Sequence, residues 1–221
     1  MPRPAGRRNA DYDTTRAALL SRLYDALLKA DGVRLSFRQM SDAAGVSPTT
    51  LRHYFQSREQ IISDVLALSH RAGLPYLHAA ATQPTQALRL SLQWFLDFLI
   101  QGWRAGVGAV HGLGLTEGIG HSALGPAYLR EILEPSLQAA ETRLARHVAS
   151  GDLGPCDVRH AAIELVGPLL VTLLHQDALG GTRCRPLDLP AFCEEHIERF
   201  VRAFSAPTPP RASRPTSRRA V

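Results

Sequence analysis

The chain has 221 residues, enough for one small and one medium domain, and 45% of them are hydrophobic. No run approaches the roughly 18 consecutive apolar residues of a membrane helix, and the N-terminus lacks the apolar stretch of a secretory signal. The three cysteines have no CxxC spacing, which is typical of reduced thiols in a cytoplasmic protein. The net charge of +5 divides into +3 over residues 1–69, −2 over residues 70–205 and +4 over the tail from Ala206. Basic ends around a mildly acidic body suit a polyanionic partner.

Hydrophobic periodicity predicts helices almost throughout the N-terminal part of the chain. After a basic, flexible arm over residues 1–12, a helix over 13–30 carries its apolar residues on one stripe. Two short helices follow, and a further helix spans 58–72. Gly73 and Pro75 then mark a domain border, which sets the first domain at 13–72.

Longer helices fill the second predicted domain, residues 73–205. Apolar spacing predicts them over about 85–103 and 126–149, with Pro135 kinking or dividing the latter, and a short helix near 110–116 lies in the Gly-rich stretch. Asp157 and Asp188 are plausible caps for the last two helices. The chain is therefore predicted to be all-α, with residues 206–221 a disordered basic tail.

Three helix starts follow one another closely between Leu35 and Arg58. Ser36 with Gln39 forms a capping box, Ser47 with Pro48 begins a second helix, and Ser57 with Gln60 caps a third. Gly45 supplies the left-handed residue that the turn between the first two helices needs. These features predict a helix-turn-helix.

Helical geometry divides the second of these helices into two faces. Leu51 and Phe55 point inward, while four polar side chains that suit base edges in the major groove point outward: Thr49, Thr50, Arg52 and His53. Three further side chains are placed to reach DNA phosphates: Ser47, Tyr54 and Arg58. An isolated face of this kind is more often an ordinary solvated helix surface, and the neighbouring caps favour DNA binding.

The stretch Met40–Glu59 resembles the TetR/AcrR family of bacterial regulators, whose pattern is I-A-x-x-A-G-V-S-x-x-x-L-Y-x-Y-F-x-x-K-E. The match covers roughly residues 12–66. The resemblance implies a dimer with a three-helix DNA-binding domain and a divergent domain that binds a small-molecule effector, usually a repressor relieved by that effector. Pro48, Arg52 and Arg58 depart from the usual residues at their positions.

Two further sites follow from the second domain. Aromatic and polar side chains in and around the Gly-rich stretch form a candidate effector pocket: Trp94, Phe98, Trp103, His111, Glu117, His121 and Tyr128. The strongest apolar seams, on the last two long helices, form a candidate homodimer interface: Leu173, Leu174, Phe200 and Phe204. The alternative is that these residues pack only inside one chain.

No catalytic pattern, cofactor motif or metal site is predicted. Glu117 and His121 lie four residues apart, but two ligands without a third are more often a surface pair. The sequence thus predicts a cytoplasmic DNA-binding regulator, not an enzyme, with operator DNA, a second copy and an unidentified effector as partners and no membrane. An activator or ligand-independent regulator of this fold, and a helical carrier or enzyme using the second domain, are the alternatives.

Overall fold

The computed structural model describes residues 5–30, 33–83 and 87–205, with side chains from residue 11 onward. These residues contain α-helices, three π-helical segments and no β-strand, so the predicted all-α fold is confirmed. The elements in chain order are α1 (Ala5–Leu28), α2 (Phe37–Ala44), α3 (Pro48–Tyr54), α4 (Arg58–Thr82), α5 (Leu88–Gly102), π1 (Trp103–Val107), α6 (Gly108–Gly118), α7 (Leu124–Tyr128), π2 (Leu129–Leu133), α8 (Glu134–Ser150), α9 (Val158–Leu173), π3 (Leu174–Ala178), α10 (Gly181–Cys184) and α11 (Leu189–Phe204).

Local capping sets the helix-turn-helix. Ser36 begins α2 with the predicted capping box, since its Oγ accepts from the Gln39 N–H and the Gln39 carboxamide accepts from the Ser36 N–H. Gly45 ends α2 with a φ of 69°, a left-handed conformation that favours glycine. Ser47 caps α3, and Pro48 lies in its first turn, where no N–H is needed. The predicted helix-turn-helix is therefore confirmed.

Two hydrophobic cores organise the helices. The first packs α1, α2, α3 and the beginning of α4 around side chains such as Leu23 and Phe55. The second fills the space between α5, α8, α9 and α11 around Phe95 and Leu165. Each fully buried side chain of this size contributes about 1.5–3 kcal/mol to folding. α4 links the cores, because its far end places Ala80 in the second one.

The first core is shared between the two halves of the chain. Val110 of α6, Leu124 and Tyr128 of α7 and Ile132 of π2 are all buried in it. The helix-turn-helix region consequently rests on α6 and α7, and a shift of either helix would disturb its packing.

Two helix bounds differ from the prediction. α1 begins at Ala5, so residues 5–12, predicted as a flexible arm, belong to a helix. α4 continues to Thr82 through Gly73 and Pro75. Because proline has no N–H, the carbonyl four residues before Pro75 loses its helical hydrogen bond, and the exposed position of Pro75 lets water hydrate that carbonyl. The domain border at 72/73 stays a prediction and falls inside one continuous helix. Residues 1–4 of the arm and the tail 206–221 lie outside the described residues.

The middle of the chain is more helical than predicted. π1 and α6 replace most of the loops expected in the Gly-rich stretch, with Gly106 at a φ of 119° where the helical path bends. Pro135 lies in the first turn of α8, directly after π2, so the helix predicted over 126–149 continues through this proline with a π-helical segment just before it. Asp157 and Asp188 cap α9 and α11 as predicted.

Among residues 5–30, 33–83 and 87–205, one helix is long and apolar enough by composition to span a membrane, namely α9 with π3 over Val158–Ala178. Ala161, Leu165, Leu169 and Leu173 of this helix are buried in the second core. A core helix of a folded protein meets the same length and hydropathy test, and the packing of α9 fits that description.

Candidate DNA-binding and effector-binding sites

The side chains of α3 divide as its sequence predicts. Leu51 and the following Phe55 are completely buried, and they fix the helix against the first core. The other face is exposed and consists of Thr49, Thr50, Arg52 and His53. The geometry therefore presents a short polar helix face of the kind that reads base edges in a major groove.

Neighbouring side chains hold parts of this face in place. The Arg52 guanidinium lies 5.2 Å from the ring centroid of Phe37, at the start of α2. The Thr50 and Ser47 hydroxyl oxygens are 2.8 Å apart, and the Ser47 Oγ also accepts from the Thr50 N–H. The His53 ring stands edge-on to Tyr54, with centroids 5.0 Å apart. These contacts pre-orient exposed side chains that would otherwise lose entropy on binding.

Tyr12 of α1 supports α3, a role that the sequence did not indicate. Its ring stacks on Tyr54 at a centroid distance of 4.8 Å, and its hydroxyl donates to the His53 carbonyl at 3.3 Å. Because the sequence predicts that α1 begins at residue 13, Tyr12 falls in the predicted arm. Tyr54 itself is half-buried between Tyr12 and the first core.

Arg58, predicted to hold a DNA phosphate, is paired inside the protein. Its two Nη groups donate to the Glu117 carboxylate of α6 at 2.8 and 2.5 Å, and its Nε donates to the Leu35 carbonyl at 2.6 Å. Glu117 is buried, and Arg34 approaches it at 3.8 Å. Hydrogen bonding to Glu117 raises the pKa of the Arg58 guanidinium above its usual value. A phosphate contact by Arg58 therefore requires this ion pair to open.

A small cavity lies in the C-terminal half of the chain. Seven aliphatic side chains form most of its wall: Leu99, Val107, Leu133, Val166, Leu169, Leu170 and Leu173. Trp103, His111 and Ser136 complete the wall. The sequence pointed to Trp103 and His111, whereas the leucines carry no chemical signal that distinguishes a cavity wall from an ordinary core.

His111 is the most distinctive polar group of this cavity. Its Nδ1 is 2.7 Å from the Tyr128 hydroxyl, and its ring stacks on Trp103 at a centroid distance of 5.4 Å. Burial lowers the pKa of His111 to about 4 and raises that of Tyr128 to about 12, so both groups are neutral at pH 7. Tyr128 does not line the cavity itself and lies behind His111.

Four of the predicted effector residues lie elsewhere. Trp94 and Phe98 stack on each other at 5.4 Å on α5, and Glu117 pairs with Arg58. The His121 Nδ1 accepts backbone N–H groups of residues 123 and 124 and so holds the start of α7. The hydrophobic periodicity of the sequence could not show that these four side chains point away from the cavity. Within the described ranges no three His, Cys, Asp or Glu side chains cluster as metal ligands.

A buried polar network includes a Ser–His–Asp chain. The Ser91 Oγ lies 2.9 Å from His147 Nε2, and His147 Nδ1 lies 3.0 Å from Asp152 Oδ2. Arg143 also donates to the Ser91 Oγ at 2.6 Å and to the Ala80 carbonyl at 2.8 Å. Because Ser91 is buried and its hydroxyl is occupied on two sides, it is a structural link between α4, α5 and α8 and not a nucleophile.

The predicted dimer residues are largely internal. Leu173 and Phe200 are 3% and 4% exposed and pack in the second core of their own chain, so the interface predicted for them stays a prediction. Apolar seams indicate burial without showing whether the neighbour belongs to the same chain. Leu174 and Phe204 are partly buried against this core. The exposed apolar side chains of α9 are instead Ile163 and Val171, at 45% and 65%.

No family model and no curated protein matches the sequence. Solved structures match the fold at 16–17% identity. A proposed TetR-family regulator from Mesorhizobium loti has a TM-score of 0.64 at 17% identity, with 87% of this chain and 96% of that one covered. FadR from Bacillus subtilis in complex with stearoyl-CoA has a TM-score of 0.62 at 16% identity, with 84% of this chain and 97% of that one covered. PfmR, a TetR-family regulator from Thermus thermophilus, has a TM-score of 0.57 at 16% identity, with 83% of this chain and 94% of that one covered.

These matches define the class of fold. The chain has the fold of TetR-family transcriptional regulators over most of its length, which confirms the predicted resemblance at the level of structure. The neighbours themselves are described as transcriptional regulators.

Proposed function

We propose that this protein is a cytoplasmic, sequence-specific transcriptional repressor of the TetR type. In this proposal it binds a near-palindromic operator as a homodimer and is released by a small-molecule effector. The observation that carries the proposal is the exposed polar face of α3, held on a capped helix-turn-helix within a fold shared with known regulators.

Base contacts are proposed for Thr49, Thr50, Arg52 and His53, whose side chains are exposed together on α3. Phosphate contacts are proposed for Ser47 and Tyr54, at the two ends of the helix. Arg58 joins them only in a state in which it has left Glu117, so Glu117 and a DNA phosphate compete for the same guanidinium.

Gel-shift titration with the DNA upstream of the protein's own gene tests DNA binding directly. We expect Arg52→Ala to cost about 1–3 kcal/mol on the preferred site and to relax base preference. Tyr54→Ala should weaken binding to all sequences. Arg202→Ala, an exposed arginine of α11, is the matched control and should leave both properties unchanged. Wild-type affinity for the Tyr54 and Arg52 variants would refute the assignment of α3.

Repression follows from operator occupancy, and a reporter gene under the same upstream DNA separates it from activation. Deletion of the regulator should raise reporter expression if it represses and lower it if it activates. Native mass spectrometry of the purified protein addresses the carrier alternative, because a retained ligand without any DNA affinity would favour that function.

The effector response is supported by the way the two halves meet. α6 lines the cavity through His111 and, less than two turns later, holds Arg58 through Glu117. A ligand that moves α6 would therefore change the position of α4 and of the helix-turn-helix, and this differential contact is what an effector needs to shift a population.

A further inference from the structure

The cavity beneath π1 has an uncharged wall. Eight of the ten lining residues are aliphatic side chains or Trp103, and the other two are Ser136 and the neutral His111. The Ser136 Oγ already donates to the Ile132 carbonyl at 3.3 Å. Because a carboxylate or phosphate buried here would find no cationic partner, transfer of an ionised group into the cavity is unfavourable.

His111 supplies one directed polar contact. Its Nδ1 is taken by Tyr128, and among the described residues no group pairs with its Nε2. A neutral imidazole with one nitrogen engaged offers a single hydrogen bond through the other nitrogen. Trp103, stacked against the same ring, adds an aromatic surface beside this contact.

The size of the cavity limits what enters without rearrangement. Its volume is about 50 Å³. A cavity that accepts one benzene ring is on the order of 150 Å³. The wall segment best placed to widen is π1, because Val107 is 44% exposed and Gly106, with a φ of 119°, interrupts the helix there. π2 contributes Leu133 to the wall of the same cavity. π3 begins directly after Leu173, the last residue of α9, which also lines the cavity.

We infer that this cavity binds an uncharged, mainly apolar molecule about the size of one aromatic ring, whose single hydrogen-bonding group pairs with His111. The ligand stacks beside Trp103 and displaces π1 outward. That it also acts as the effector rests on the proposed function. An acyl-CoA, the ligand of one structural neighbour, differs in both charge and size from what this wall accommodates.

Three probes that share one ring test the inference: benzyl alcohol, toluene and benzoate. Trp94→Phe leaves Trp103 as the remaining tryptophan, so its fluorescence reports on the cavity. At pH 7 we expect saturable quenching or enhancement by benzyl alcohol, about tenfold weaker binding of toluene for the loss of one hydrogen bond, and no saturable binding of benzoate.

Variants of His111 assign the selectivity to its ring. His111→Phe should bind toluene as well as benzyl alcohol, whereas His111→Gln keeps a hydrogen-bonding group and should retain the preference. His78→Phe, an exposed histidine of α4, is the control and should behave as the parent protein. The Gln variant keeps the test decisive if the Phe variant folds poorly.

The inference is overturned if benzoate or stearoyl-CoA binds as tightly as benzyl alcohol, if benzyl alcohol shows no saturable binding, or if the preference survives in His111→Phe. Gel shifts run on the same samples separate this outcome from the function. Selective ligand binding without DNA affinity supports the inferred ligand class and refutes the proposed regulator function. DNA affinity with unselective ligand binding supports the regulator function and refutes the inferred ligand class.

Discussion

In the proposed function Arg58 has two alternative acceptors, the buried Glu117 carboxylate and a DNA phosphate. It lies directly after the helix-turn-helix, and in the structure its guanidinium donates to Glu117. Arginine binds either acceptor in the same bidentate manner. If α6 moves and Glu117 releases the guanidinium, Arg58 would become available for the proposed phosphate contact.

Glu117→Gln should raise the affinity for DNA of any sequence severalfold, because a neutral carboxamide holds the guanidinium less firmly. One additional phosphate contact should make the logarithmic dependence of affinity on salt steeper by about 0.9. Gel shifts over a range of salt concentrations measure both effects. The double variant Arg58→Ala with Glu117→Gln should lose the gain, and a gain that persists in it would contradict the exchange.

His111 makes the free energy of unfolding depend on pH. The folded pKa of about 4 lies below the ordinary value of 6.5, so the unfolded chain binds more protons between these pH values. Stability is therefore lost as the pH falls from 6.5 towards 4, by up to about 3 kcal/mol from this residue. Urea unfolding of the wild type should show this loss of unfolding free energy between pH 7.5 and pH 4. In His111→Phe the loss should be smaller than in the wild type by about 3 kcal/mol. An identical pH dependence in the two proteins would contradict it.

Among the elements, α6 packs closely against an aromatic ring on one side and faces open space on another. A Cβ built on Gly114 would lie 2.1 Å from Cδ2 of Tyr128, whereas one built on Gly112 meets nothing within 4 Å. The absence of a side chain at Gly114 therefore sets the distance between α6 and α7.

Gly114→Ala and Gly112→Ala form a matched pair on this helix. Overpacking at Gly114 should lower the free energy of unfolding by about 1–3 kcal/mol. Alanine at Gly112 should raise it by about 0.5–1 kcal/mol, since it reduces the entropy of the unfolded chain. Thermal or urea unfolding checks both, and two changes of the same sign would contradict the packing of α6 described above.

The predictability of each element depends on how local its determinants are. Ser36, Gly45 and Ser47 act within a few residues, so α2, α3 and their turn were predicted closely. α4 passes through Gly73 because Ala80, far along the helix, packs on residues distant in sequence. The leucines of the cavity wall were missed for the same reason, since an apolar seam does not indicate what lies opposite it.

At the scale of the whole molecule, a second copy is needed to read a palindrome. Under the proposed function the two half-sites would lie about 34 Å apart, one turn of DNA, and the α3 of one chain would read only one of them. The exposed side chains of Ile163 and Val171 are spaced for a helix-to-helix contact, because they lie eight residues apart on α9 with the half-buried Gly167 midway between them. Gly167 has open space around it, which allows close approach of another helix.

Val171→Glu should therefore convert a homodimer into monomers, because two like charges would be buried at a two-fold axis or its edge. Val33→Glu is the matched control: Val33 is 63% exposed against 65% for Val171 and lies in the helix-turn-helix half. Analytical ultracentrifugation should give the dimer mass for the wild type and the Val33 variant and the monomer mass for the Val171 variant. Operator affinity should fall by at least tenfold with the loss of the second half-site, while nonspecific binding per chain should change little. A dimer that persists in Val171→Glu would place the interface away from the exposed face of α9.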